Sequence, residues 1–398
     1  MVNKKINRNG GAVDQLIGAA IGATGTGGLF IGFREAGAKG ALLGGITGAV
    51  YHNTGIVKGS AITAVSIHNC INRGNITMQA VTGGQSQDTQ GYPQTQVGGV
   101  VGRGAYISLI GCKNYGTLKY DGTFAQLHAG GVAGSSYYSN VIDCHNYGEM
   151  YVTEKTFFHG ISLAGISAMN YNSADYPYIS KDCTNNGPIK CYGSTLTDVA
   201  GGGTWHYRIG GIDAFGRVVM ENCTNNKGGT IHIKGNIINL RKTDMFCEVG
   251  GVTAYRTTNA WEGCKNYADI ISEINFTIHS DITDDVAKVT DRSFFIGGVA
   301  GYTSMQCLEC ENHGNVIVKG SYAGEKLFVG GVVGYGNLRR TRNYGNVTID
   351  ESCSITTSRA SIGGVLGGND GTEEREGVIN KGNLYIGGVH QAPMVVGG

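Results

Sequence analysis

Four carboxylates stand first among the residues whose type and spacing could do chemistry. Asp143 and Asp182 each precede a cysteine of a recurring motif by one residue, and Glu221 and Glu262 each precede one by two. If the motif copies stack, each pair lies about 5 Å apart, the separation a retaining glycosidase uses for its acid and its nucleophile. A β-helical polysaccharide lyase or hydrolase is therefore one reading. The opposing reading is that stacked positions repeat a residue type as a matter of course, and charged residues beside a turn are ordinarily solvated. The four remain weak candidates, and no catalytic residue is assigned.

Aromatic side chains offer a different chemistry. The segments "SSYYSN" (135–140), "MNYNSADYPYIS" (169–180) and "GGTWHYRI" (202–209) fall on three successive motif copies. If they emerge on one side, Tyr137, Tyr138, Tyr171, Tyr176, Tyr178, Trp205 and Tyr207 form a patch able to stack on sugar rings or anchor a protein. The competing reading is that they cap the flank of the fold.

Metal and redox chemistry are poorly supported. Cys307 and Cys310 form one CxxC without a second half. Asp281, Asp284, Asp285 and Asp291 lack the spacing of a calcium loop. No metal site and no cofactor is expected.

The cysteines belong to a repeat. An Asn-x-Gly-x-apolar motif recurs at Asn72, Asn114, Asn146, Asn185, Asn225, Asn266, Asn312, Asn343 and Asn380, at intervals of 31 to 46 residues. Two residues before the Asn stand Cys70, Cys112, Cys144, Cys183, Cys223, Cys264 and Cys310, then Thr341 and Val378. A metal ligand or disulfide partner cannot become Val and keep its role, whereas a small core side chain can. Cys191, Cys247, Cys307 and Cys353 lie outside this set. The residue after the Asn is Tyr115, Tyr147, Tyr267 or Tyr344 in some copies and Arg73, Asn186, Asn226, His313 or Lys381 in others, which marks an outward side chain. The Gly two residues after the Asn fits a corner with positive φ. Ala268 and the inserted Lys227 are the exceptions.

A second motif, apolar-Gly-Gly-apolar, alternates with the first: "VGGVVG" (97–102), "AGGVAG" (129–134), "IGGVAG" (296–301) and others, with "LAGISA" (163–168) a weaker form. Between the motifs run short β-branched segments, and no stretch after residue 60 carries a 3.6-residue apolar period. Short strands in repeats of this length predict an all-β fold, a right-handed parallel β-helix (β-solenoid) of about nine to ten coils. A stacked Asn in such a coil can bond both its own turn and the amide above it.

Bulk composition agrees. The chain has 398 residues with 68 Gly, 4 Pro, 15% charged residues and a net charge of +1. Disorder needs more charge and proline, and the balance gives no case for nucleic acid. Residues 1–60 read as irregular Gly-rich coils. The uncharged run 16–33 and its GxxxG spacings make a helical or membrane segment the alternative there. Residues 61–398 read as one continuous solenoid domain. The terminal "MVVGG" resembles an interrupted Gly-Gly motif, so a segment of a longer protein is expected. The residues before the first repeat do not read as a signal peptide, as expected of such a segment.

The alternation of Gly-apolar-x-Gly with Asn-x-Gly-x-apolar resembles the GLUG-motif repeats of bacterial surface proteins. Gly99–Gly102, Gly131–Gly134, Gly298–Gly301, Gly331–Gly334 and Gly364–Gly367 match its core; Ala168, Ala214 and Ala254 depart at the final Gly, and Val or Ile replaces Leu. The resemblance implies a cell-surface or secreted location and a non-catalytic role; with the aromatic segments around 135–210 it leads to the expectation of an adhesin-like protein whose partner is a glycan or a host or cell-surface protein. A phage tail fibre or tailspike is a further alternative.

Overall fold

A computed structural model describes residues 16–17, 42–51, 65–82, 94–124, 126–157, 160–172, 178–197, 205–239, 244–257, 261–278, 291–369, 375–391 and 393–397. Among these the chain is all-β, a parallel β-solenoid. Each coil repeats one strand pattern. In residues 126–157 the strands are Gln126–Gly130, Ala133–Tyr137, Asn140–Ile142, His145–Asn146 and Met150–Phe157. Each pairs in parallel with its counterparts in the coils before and after. Stacking yields four sheets of 10, 16, 9 and 11 strands. We call them the entry, folded, Asn and return sheets, in the order a coil visits them. The folded sheet takes two strands from most coils; in Ala300–Leu308 and Val333–Arg339 the two merge into one.

The two motifs meet inside the coil. Asn72, Asn114, Asn146, Asn185, Asn225, Asn266, Asn312, Asn343 and Asn380 form an unbroken ladder. Each Nδ2 donates to the Oδ1 of the next coil's Asn at 2.8 to 3.0 Å. Most also donate to the carbonyl two residues on, as Asn146 does to Gly148 at 2.9 Å. The second glycine of the Gly-Gly motif lies against this ladder. A Cβ on Gly131 would stand 2.5 Å from Asn146 Cγ and 2.1 Å from the Gly165 carbonyl oxygen, and Gly99, Gly251 and Gly298 repeat the arrangement on their own coils. The motifs alternate in sequence because each coil closes by pressing one onto the other.

The glycine after the Asn has a different reason from the one its spacing suggests. Gly116, Gly148 and Gly187 do not have positive φ. A Cβ on each would stand 2.0 Å from the carbonyl oxygen of the glycine one coil below, so close backbone approach selects Gly there. Ala268 is allowed because the coil beneath it carries the turn lengthened by Lys227. There Asn225 Nδ2 reaches Gly229 O instead of a residue two positions on. The two exceptions are one feature. The positive-φ corner lies just before the cysteine column, at Asn69, Gly111, Asp143, Asp182, Asn222, Gly263, Glu309, Arg340 and Gly377.

Two apolar clusters fill the interior. One joins entry and return sheets through residues such as Leu127, Val152, Ile161 and Ile189. The other joins Val132 and Val141 to the cysteine column. Each fully buried aliphatic side chain there contributes about 1.5 to 3 kcal/mol. All eleven cysteines are free thiols, and all but Cys70 are buried. Cys112, Cys144 and Cys183 donate to carbonyls of the coil below, those of Ile67, Leu109 and Val141, at 3.3 to 3.5 Å. Among the described residues no cluster of His, Cys, Asp or Glu could hold a metal ion.

Within 1–60, Leu42–Gly44 and Thr47–Tyr51 pair in parallel with the following coil, and Gly45 packs against Asn72 as its counterparts do. Of the run 16–33 only Leu16–Ile17 is described, as a short strand antiparallel to Ala49–Val50; the rest lies outside the described residues. No described helix is long and apolar enough to cross a membrane.

Candidate functional site

The Gly-Gly turn folds the outer face of the entry sheet toward the outer face of the folded sheet. Residues seven apart then face each other across a cleft. In "FIGGVAGY" (295–302) the Phe295 and Tyr302 ring centroids are 5.5 Å apart, and in "FVGGVVGY" (328–335) Phe328 and Tyr335 are 5.4 Å apart. In "RIGGIDAF" (208–215) the Arg208 guanidinium lies 4.8 Å from the Phe215 ring. Register carries the column on the entry side from Gln96 through His128, Ser162, Arg208, Glu248, Phe295 and Phe328 to Ser361. The opposite column runs Arg103, Ser135, Met169, Phe215, Tyr255, Tyr302, Tyr335, Gly368. The cleft is polar toward the N-terminal coils and aromatic toward the C-terminal ones.

The aromatic half opens into a cavity of about 400 Å³. Phe295 and Phe328, both buried, form its floor, and the half-buried Phe246, Tyr255, Tyr302 and Tyr335 its walls. Tyr255, Tyr302 and Tyr335 are stacked in sequence, at 5.0 and 5.4 Å. Two carboxylates line it, each already matched. Glu248 accepts from Arg208 Nε at 3.1 Å, and Asp291 lies 2.9 Å from Lys326 Nζ. Burial alone would raise the Glu248 carboxyl, but the Arg208 charge and His206 outweigh it and hold it below the usual value. Burial and the Arg208 charge lower His206, against the pull of Glu248. Arg359 rests over the Phe328 ring at 5.2 Å.

This arrangement suits binding better than hydrolysis. In register, Asp291 sits four residues along the strand from the position facing Glu248. That is about 13 Å of strand, and each carboxylate is engaged with a cation of its own. A carboxylate held ionised by Arg208 is also a poor general acid.

The four carboxylates of the sequence reading lie elsewhere. Asp143 and Asp182 occupy the positive-φ corner at φ 53° and 54°, a conformation that Asp, Asn and Gly tolerate best. Both are exposed, and Asp143 contacts His145 Nε2 at 3.0 Å. Glu221 and Glu262 are in register on adjacent coils, with Glu221 paired to Lys181 at 2.9 Å. The backbone corner accounts for the first pair and solvated strand ends for the second.

The tyrosine-rich segments do converge in part. Tyr138 stacks on Tyr106 at 4.8 Å and meets Tyr171 and Tyr178 edge-on, each at 6.3 Å. Tyr137 lies 6.0 Å from Tyr171. Tyr178 is buried beneath this patch and exposes no usable face. Tyr207 does not join it: its strand turns the ring into the core, where the hydroxyl donates to Cys191 Sγ at 2.8 Å. Tyr176, Asp281, Asp284 and Asp285 lie outside the described residues, as does the Trp205 side chain.

The outward residues after the Asn ladder form their own column. Tyr115 stacks on Tyr147 at 4.7 Å, and His313 sits between Tyr267 and Tyr344 at 4.6 and 4.5 Å. Arg73 and Lys381 lie over Tyr115 and Tyr344. These faces are spent on one another, so the column presents edges to solvent.

The cleft escaped the sequence reading, although the residue two before Gly-Gly and the one seven beyond it carry a signal. In the last aromatic coils both are aromatic. Comparison with known protein families, characterised proteins and solved structures finds no match.

Proposed function

We propose that this protein is a non-catalytic binding solenoid of the cell-surface or secreted, adhesin-like class, and that it takes a glycan in the aromatic half of the cleft. One observation carries the reading. The repeated residues are consumed in closing and stacking coils, whereas Phe246, Tyr255, Tyr302 and Tyr335 belong to neither motif and leave ring surface toward an open cavity. Aromatic walls with a few fixed polar groups are what a sugar-binding cavity requires. The ion pairs of Glu248 and Asp291 along the lining supply oriented donors and acceptors for hydroxyl groups.

The test is retention on a panel of immobilised polysaccharides and glycoproteins, with Phe246→Ala and Tyr302→Ala as variants and thermal melting as the folding control. The reading expects retention on at least one glycan, weakened tenfold or more in either folded variant. Retention on no glycan, or equal retention by both variants, overturns it.

A further inference from the structure

The patch around Tyr138 and the cavity around Tyr302 are parts of one face. Ring contacts connect them without a gap: Tyr171 to Phe215 at 6.1 Å, Phe215 to Tyr255 at 5.5 Å and Tyr255 to Tyr302 at 5.0 Å. The midpoint is covered. Arg208 and Arg217 lie over Phe215 at 4.8 and 5.3 Å, and Phe215 is buried. The face therefore presents two separate aromatic surfaces bridged by stacked guanidinium groups. Four coil steps separate Tyr138 from Tyr302, about 19 Å along the rod.

A conformational observation marks the patch. Tyr106 and Tyr138 have φ of 58° and 49°, a region that bulky side chains rarely occupy and that Asn and Gly prefer. Tyrosine is held there against local preference, at two successive coils, with the rings stacked on each other.

We infer that the face binds one extended, neutral, linear polysaccharide lying along the rod, engaged at both surfaces at once. The inference rests on the glycan reading of the cavity. A neutral chain fits because the cavity's carboxylates are matched by Arg208 and Lys326 and the further cation in its lining, Arg359, rests over the Phe328 ring. A polypeptide fits less well. Strand addition needs an unpaired edge, and along this flank each strand is paired on both sides by neighbouring coils. Linking two weak surfaces through one ligand raises affinity by effective concentration without any new contact.

The experiment is calorimetry or fluorescence titration of the full chain with linear β-1,4-linked glucose and mannose oligomers of increasing length, and with an uncharged unstructured peptide of equal reach. The comparison protein is the double variant Tyr106→Asn, Tyr138→Asn, whose new residues suit the backbone and leave the cavity intact. The expected result is a tenfold or greater gain in affinity once the oligomer spans both surfaces. In the double variant that gain disappears, short-oligomer affinity stays within twofold, and the melting midpoint is preserved. Three results overturn the inference while sparing the cavity reading: a smooth length dependence, a gain retained in the double variant, or binding only of oligomers too short to span. Equal binding of the peptide overturns the assignment to polysaccharide. Binding of no oligomer removes the cavity reading together with this one.

Discussion

Replacing Asn185 with Ala tests the ladder where it is most exacting. Asn185 is fully buried. Its Oδ1 accepts from Asn146 Nδ2 at 2.8 Å and from the Gly187 amide at 3.3 Å, and its Nδ2 donates to Asn225 Oδ1 at 2.9 Å. Alanine strands the Gly187 amide and the Asn225 oxygen and removes one acceptor from Asn146, which keeps its bond to Gly148 O. Two fully orphaned groups at about 1 to 3 kcal/mol each give a loss of about 2 to 6 kcal/mol. Asn380 is only partly buried and has one ladder neighbour, Asn343, so Asn380→Ala should cost about 1 kcal/mol. Urea unfolding followed by circular dichroism measures both. Equal losses for the central and terminal variants would refute the ladder argument, as would a central loss below about 1 kcal/mol.

Three other outcomes are expected. Gly148→Ala should destabilise by about 3 kcal/mol because its Cβ meets the Gly116 carbonyl at 2.0 Å, whereas Ala268→Gly should cost about 1 kcal/mol or less; melting midpoints would separate the two. His128, buried and pushed down to about 3 by desolvation and by Arg208 and Arg103, does not take up a proton in the folded state until the pH falls to that value. The unfolded chain does so below about 6.5, so stability falls with pH between those limits. About 2 kcal/mol should be lost between pH 7.5 and 5, and His128→Leu should abolish that share of the slope in urea titrations. Burial pushes the Cys183 and Cys247 thiols well above the usual value and shields the other column and core cysteines from solvent, so all of them should resist aqueous thiol reagents until the protein is unfolded; rapid labelling of the native chain beyond Cys70 would contradict the packing.

What the sequence made legible follows from the physics of stacking. In-register coils bring each position against its own equivalent, so a residue that works only beside its like, such as Asn146 between Asn114 and Asn185, must recur, and its recurrence is visible. The replacement of Cys by Thr341 and Val378 likewise exposed a core role. Glycine was harder to read. Positive φ and close backbone approach both select it, and only coordinates separate Gly111, at φ 66°, from Gly116, which lies against Gly74 O. The cleft was hidden for another reason. It depends on the sharpness of the Gly-Gly turn, which brings together outer faces that a simple coil would splay apart. Its residues also vary from coil to coil, so repetition could not reveal them. Tyr207 was misread because strand alternation, and not membership of an aromatic segment, decides which side of the wall a ring occupies.

The central claim is that equivalent residues pile into columns along a rod. Lys113, Thr184, Lys265 and Arg342 share one outward column of the Asn sheet. Spin labels introduced there through non-cysteine chemistry, in pairs starting from Lys113, report the stacking by pulsed electron resonance. Separations should grow by about 4.8 Å per coil, reaching about 29 Å between 113 and 342, whatever the number of intervening residues. Distances that follow residue count, or that show no regular step, would contradict the fold and everything argued from it.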